Sequence, residues 1–568
     1  MGHDLVIRGG SVIDGTGGPA RTADVAITDG RVVEVGRVDG PATREIDADG
    51  AVVAPGFVDI HTHYDGQATW DERLQPSSSH GVTTVVGGNC GVGFAPVRPT
   101  DHQQLVELME GVEDLPGTVL HEGLSWEWES IADYLDALDR RRYDLDVAAQ
   151  VCHGPVRLYV MGRRGADREA ATSDEIEEMG RIVAEGIRAG ALGFSTSRTL
   201  NHRTSRGEPT PTLTASRDEL VGIARAVGTT GQGVLQVVSD FTDADAESET
   251  FLEMMRASGR PLSCSLLQTA PGAGYRRRLE LLEAARAEGL MMRAQVAPRA
   301  VGLLIGLQGT INPFARTDAF KAVADASLAE QARHLADPAR RGQLLAELRA
   351  HRMLDLGQVF DLGDPPEYEP DADDSVAATA QRDGADPVER YVDLLLADEG
   401  RALLYLPFLN YFDGNLDAAA EMLAHPFTVP GLSDGGAHVG TICDASFPTS
   451  LLTHWGRDRE RGTFDLPFLF QRQCRSTASA VGLLDRGVLA PGYRADVNVI
   501  DIERLTLTAP TIVRDLPAGG KRLTQGATGY LHTVVAGEET YTDGQPTGAL
   551  PGRFVRGPRA DATMGGAR

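Results

Sequence analysis

The sequence predicts an α/β protein in two parts: a TIM-like (β/α)8 barrel and a small β-sandwich built from both chain termini. Three observations carry this. The central part alternates short apolar strands with amphipathic helices, the pattern of a parallel barrel or sheet. Each end of the chain reads as a few short strands and turns, too few to bury a core alone. The 568 residues exceed what one compact core holds. The expected division is 1–54 and 485–568 for the sandwich and 55–484 for the barrel, with an insertion near 305–425.

At the N-terminus, 5–8, 11–14, 25–27 and 31–35 alternate or run in β-branched residues, and Gly9-Gly10, Gly15, Asp29-Gly30 and Asp49-Gly50 punctuate them. Segments 487–501 and 533–541 supply the matching strands from the far end. Thr172-Ser173-Asp174-Glu175 has the form of a capping box, Ile176, Met179, Ile182, Val183 and Ile187 share one helical face, and Gly190 closes that helix. Ser216-Arg217-Asp218-Glu219 opens another helix in the same way. Candidate barrel strands are 53–60, 83–87, 147–152, 191–196, 233–238, 262–267, 291–296 and 428–433, eight in all. The acidic, proline-rich segment 363–386, with Asp371, Asp373 and Asp374, reads as a surface insertion folded over the barrel mouth or, equally, as a solvated loop without a role.

Composition removes several function classes. Apolar residues make up 42% and charged residues 24%, an ordinary globular balance. A net charge of −27 excludes a nucleic-acid binder and a protein docked on anionic membrane. The first ten residues lack the cationic start and apolar core of a signal peptide, and runs such as 301–307 are too short to span a bilayer. Five scattered cysteines imply no disulfide framework and a cytoplasmic setting. All basic residues but Lys321 and Lys521 are arginine. Self-association as a homo-oligomer is left open.

In a (β/α)8 barrel the chemistry stands at the C-terminal strand ends. Strand one ends in His61-Thr62-His63, and period-2 geometry puts both imidazoles on one face, half of a metal site. Strand two runs into Gly88-Asn89-Cys90-Gly91, a turn from which a thiolate reaches a metal. Strand three ends in Cys152-His153-Gly154, and strand eight in Ser433-Asp434-Gly435-Gly436-Ala437-His438. Asp434 is also good turn chemistry there, and a structural place for His153 and His438 is as consistent with the sequence as a chemical one. For His202 and Arg203 the sequence favours neither.

The segment from Gly56 to His63, the Ser433-Asp434-Gly435 element and Pro491-Gly492-Tyr493-Arg494-Ala495-Asp496 resemble the amidohydrolase superfamily. Gly88-Asn89-Cys90-Gly91, residues 190–198 and Gly548-Ala549-Leu550-Pro551-Gly552-Arg553 resemble its N-acyl-D-amino-acid deacylase branch. The resemblance covers almost the whole chain. It implies a zinc-bearing barrel enzyme that cleaves a C–N bond of a small amide. It also implies His61, His63 and Cys90 as metal ligands, Cys90 in place of a carboxylated lysine, and Asp434 as general base. His153 is a candidate to help polarise the carbonyl. Neither lysine falls near a strand end, in keeping with the cysteine assignment.

The branch places further histidines at the ends of strands five and six. Here those ends read Leu235-Gln236-Val237-Val238-Ser239-Asp240 and Ser265-Leu266-Leu267-Gln268, and Gln268 stands where the branch has a lysine for a substrate carboxylate. Amide oxygens are poor zinc ligands. The expectation is therefore one zinc per chain on His61, His63, Cys90 and Asp434, acting on an N-acylated amino acid or a cyclic amide. The competing reading is a metal-poor relative without hydrolase activity, serving in binding or assembly.

Overall fold

The computed structural model describes residues 2–350 and 354–562. Residue 1, 351–353 and 563–568, which fall within the expected segments 1–54, 305–425 and 485–568, lie outside the described residues.

All eight expected barrel strands are present: Phe57–Asp59, Val82–Gly87, Asp146–Ala149 continued as Val151–Cys152, Gly193–Arg198, Val234–Ser239, Leu262–Leu266, Met292–Val296 and Thr428–Pro430. They pair in parallel as one sheet of strands one to three and another running from the end of strand three to strand eight. Gln150 marks the joint, where strand three changes sheets. At the other seam Thr62 forms a parallel bridge with Gly435. Helix Ser173–Ala189 shows how the sequence sets one βα unit. Thr172 and Glu175 form the reciprocal capping box, and Gly190 (φ 123°) ends the helix. Strand four starts two residues later than expected, because Ala191 donates its N–H back to Gly186 O. Ser216 likewise caps helix Arg217–Gly228 through the Glu219 N–H, but Glu219 turns its carboxylate inward to His153 and Arg157, so the reciprocal half of that box is missing.

The segment expected as one strand, 53–60, divides at Gly56. Val52–Pro55 belongs to the sandwich, whereas Phe57–Asp59 enters the barrel. A Cβ at Gly56 would lie 2.2 Å from Thr83 Oγ1, so a side chain there would force the two strands apart. The two chain ends meet in one nine-stranded sheet. His3–Val12 pairs along one edge with Arg21–Thr28 and along the other with Ala42–Asp47 and then Val52–Pro55. Val52–Pro55 in turn pairs antiparallel with Val497–Ile500, which leads to Tyr530–Val535 and Glu538–Thr542. Strands 5–8 and 11–14, expected as separate, are one: the Gly9-Gly10 pair makes a register shift instead of a turn.

The insertion packs its own core of Phe314, Leu335, Leu344, Val376, Val392 and Leu395. Segment 363–386 is not a structureless loop: Ser375 caps a helix, Val376–Asp383, ended by Gly384 (φ 68°). Glu369 in this segment is fixed to the barrel by Arg459 and His454 (2.8 Å each). No helix among the described residues is long and apolar enough to cross a membrane.

Barrel and sandwich are tied by a buried charge network. Arg486 and Arg494 each reach Asp146 on strand three at 2.8 Å, Arg494 also holds Asp496 (3.1 Å), and the Asp496 carbonyl accepts the N–H of Gly56. Burial opposes the Arg486 charge, and Asp146, Asp485 and Asp496 outweigh it. Removing one partner of such a network leaves the other buried and uncompensated. Arg486→Met is therefore expected to cost about 3–5 kcal/mol in denaturant-induced unfolding. Arg504→Ala, 72% exposed, is expected to stay within about 0.5 kcal/mol. Equal midpoints for the two variants would refute the network's role.

Candidate metal centre

His61 and His63 follow strand one on extended backbone held between strands two and eight. Thr62 N–H donates to Val86 O, and His63 N–H donates to Gly435 O at 2.7 Å. Both rings thus fall on one side and are 1% exposed. Cys90 sits in a left-handed turn (φ 56°) between Gly88 and Gly91. That turn is fixed by Asn89, which donates to Thr62 O and Val86 O, and by Ser195 Oγ, which accepts from Gly91 N–H and donates to Gly88 O. Asp434, also left-handed (φ 48°), is placed by its N–H on His61 O. Its neighbour Ser433 bonds the buried Asp59 and the same carbonyl.

The ligand atoms of His61, His63 and Cys90 lie within 4.8 Å of one another. His61 Nε2 is 3.3 Å from Cys90 Sγ and 3.4 Å from Asp434 Oδ1, which is 3.7 Å from His63 Nε2. A tetrahedral zinc with bonds of about 2.0–2.3 Å needs ligand atoms about 3.3–3.8 Å apart. The His61–Cys90, His61–Asp434 and His63–Asp434 separations fall in that range, and His61, His63 and Cys90 form the three-residue cluster that could hold an ion.

The outer ring nitrogens have different partners. His61 Nδ1 meets Gln295 Oε1 at 2.5 Å, and Gln295 is oriented by donating to Ser263 Oγ. His63 Nδ1 faces Glu113 Oε1 at 3.2 Å. Burial pushes the Cys90 thiol up to about 12, so near neutrality this sulfur keeps its proton unless a cation displaces it. Burial pushes His61 down to about 4. Burial also opposes charge on His63, but Glu113, Cys90 and Asp434 raise it well above the usual range. Asp434 is held well below the carboxylate range, because His63 and His61 outweigh its burial. Burial raises Asp59 to about 7, Asp65 to about 6, and Glu113 as well.

The structure does not bring His153 to this cluster. It opens helix His153–Met161, and both ring nitrogens are used, by Thr196 Oγ1 (2.9 Å) and by Glu219 (3.1 Å) in a buried pair with Arg157. No nitrogen is left to polarise a carbonyl. His202 bonds Ser197 Oγ (2.8 Å), and burial with the charges of His438 and His63 pushes it down to about 3. Arg203 donates to Gly207 O in its own loop. His438 lies 3.7 Å from Glu113. On strands four to six, Ser195, Gln236 and Ser263 are register partners on one face. Ser195 grips the Cys90 turn and Ser263 grips Gln295, so this face looks onto the centre. Among the described residues, both amide atoms of Gln236 and the hydroxyl of Ser265 are buried without a hydrogen-bond partner. Gln268 is committed to Asp413 (2.7 Å) and Gly272 O.

Glu113, Gln295 and Asp59 were not singled out from sequence. For Glu113 a signal existed: it falls four residues after Met109 and eight after Leu105, a carboxylate on the buried stripe of its helix.

The amidohydrolase family model matches residues 44–541. The N-acyl-D-glutamate deacylase of Alcaligenes xylosoxydans xylosoxydans is 29% identical over 579 residues, covering 99% of this chain and 98% of that protein. The N-acyl-D-glutamate deacylase of Bordetella bronchiseptica, solved with zinc and a phosphonate mimic of the tetrahedral intermediate, superposes with a TM-score of 0.65 at 26% identity. That match covers 98% of this chain and all of the solved one. A D-aminoacylase described by its binuclear metal centre, with one-metal activation and second-metal attenuation, gives 0.64 at 26% identity and the same coverage. With its strand ends, its sandwich and this match along nearly the whole length, the chain belongs to the amidohydrolase family, in its D-aminoacylase-like branch.

Proposed function

We propose that this protein is a metal-dependent hydrolase that cleaves the C–N bond of a small amide, an N-acylated amino acid or a cyclic amide. The observation that carries this is the convergence of His61, His63 and Cys90, whose ligand atoms lie within 4.8 Å of one another at the barrel mouth, with Asp434 Oδ1 3.4 Å and 3.7 Å from the two imidazoles. A zinc ion there would supply an acidified water and polarise the amide carbonyl. Asp434, its backbone N–H held by the His61 carbonyl and its carboxylate kept ionised by two imidazoles, takes the proton of the attacking water on Oδ1 and returns it to the leaving nitrogen. His61 and His63 present Nε2 inward because Gln295 and Glu113 engage their outer nitrogens. We read one zinc per chain, since Gln236, Val238, Ser265 and Leu266 offer no imidazole for a second.

Metal analysis of freshly purified protein by inductively coupled plasma mass spectrometry is expected to give about one zinc per chain, absent from a His61→Ala, His63→Ala double variant. No metal above background, and none taken up from added zinc, would sink the mechanism. On a panel of N-acetyl-D-amino acids and cyclic amides, Asp434→Ala is expected to lower kcat by about 10²–10⁴. His153→Gln is expected to leave the kcat of the folded enzyme unchanged. A wild-type rate in Asp434→Ala would remove its role as base.

A further inference from the structure

We infer that Glu113 is a positioning residue of the metal centre, orienting His63 through Nδ1 and joining that ring to the strand-eight loop through His438. The inference rests on the metal-centre reading above. Glu113 is the last residue of helix His102–Glu113 and is 1% exposed. One carboxylate oxygen lies 3.2 Å from His63 Nδ1, the other 3.7 Å from His438 Nε2. The Oε1–Nδ1 pair stands at ion-pair distance but outside hydrogen-bond geometry, and among the described residues neither Glu113 Oε1 nor His63 Nδ1 has a hydrogen-bond partner. The attachment continues along the chain: His438 N–H donates to the Glu113 carbonyl, and Gly440 N–H to Asp114 Oδ2 at 3.2 Å. The helix end is thereby stitched to the loop that follows Asp434.

A carboxylate at this place is disfavoured twice. It is buried, and it stands at the negative end of its helix dipole. Packing alone would be served as well by an amide of the same shape. What only a carboxylate supplies is a negative charge on the outer nitrogen of an imidazole whose inner nitrogen faces a cation, which fixes the ring and raises its basicity. Nδ1 and Nε2 lie on different edges of the ring, so Glu113 on the first does not reach an ion on the second and acts through His63. His61 has a neutral amide, Gln295, in the equivalent place. Of the two outer partners, Glu113 is the one that contributes charge.

The test is zinc affinity, which needs no substrate. Zinc dissociation constants of wild type, Glu113→Gln and Glu113→Asp are read by chelator competition, with thermal unfolding of the metal-free proteins alongside. Glu113→Gln keeps the shape and loses the charge, whereas Glu113→Asp keeps the charge and shortens the reach. Both are expected to bind zinc about 10–100-fold more weakly, with the metal-free unfolding midpoint of Glu113→Gln no lower than that of wild type. A dissociation constant within about threefold of wild type in either folded variant would overturn the inference. So would weaker binding matched by an equal loss of metal-free stability in both, the mark of a merely structural residue. If wild type itself takes up no zinc, the metal-centre reading falls, a result seen before either variant is measured.

Discussion

Two main-chain hydrogen bonds, His63 N–H to Gly435 O and Asp434 N–H to His61 O, set the geometry on which the barrel mouth depends. They join the first strand to the last and fix the register in which His61 and His63 point inward while Thr62 is turned to Val86. A slip of one residue would present Thr62 in place of both imidazoles. The spacing of the four ligand-type atoms is thus a consequence of barrel register, with Ser433 locking it by bridging Asp59 and His61 O. The distant Arg486–Asp146–Arg494 network serves the same end, because it anchors strand three and the sandwich that feeds strand one.

Around this seam the backbone is strained where the chemistry stands. Cys90, Asp434 and His438 all take positive φ (56°, 48° and 50°), each at a cost of about 1–3 kcal/mol. Such conformations persist only where neighbours over-determine them. For Cys90 these are Asn89 and Ser195; for Asp434, the His61 carbonyl; for His438, the Glu113 carbonyl. Each strained residue is therefore held by a contact from a different element, which makes the cluster a property of several barrel elements together and not of any one loop.

The barrel was legible in the sequence because apolar strand runs and helix caps are local signals, and the eight strand positions carry both. The split at Gly56 was less so: an apolar run reads alike whether its halves serve one sheet or two. Segment 363–386 read as a loop because its acidic residues hide the short helix that Ser375 starts and Gly384 stops. Strand-end position alone brings His61, His63, Cys90 and Asp434 forward, and their side chains stand close together. His153 shows the limit of that rule. Cys152 is the register partner of Ser195, with Gly93 packed on its sulfur, so it faces inward. Alternation then turns its neighbour His153 outward to Thr196 and Glu219. Helical periodicity puts the Glu113 carboxylate on a buried stripe, but which ring it meets, and the place of Gln295, depend on a meeting of helix and strand that no periodicity encodes.

Charge balance is the physical argument for the one-ion reading proposed above. On that reading the Cys90 thiolate and the Asp434 carboxylate would neutralise a single dication, with two neutral imidazoles beside them. In a site as buried as this one, neutrality is what keeps the desolvation cost tolerable. A second dication would need about two more negative charges within reach. The inner faces of strands five and six offer Gln236 and Ser265, which carry none, and the extended chain beyond them commits Gln268 to Asp413. Those unpartnered amide and hydroxyl groups can hydrogen-bond a polar substrate but cannot balance an ion. On this reading the wall formed by strands five and six is available to the substrate.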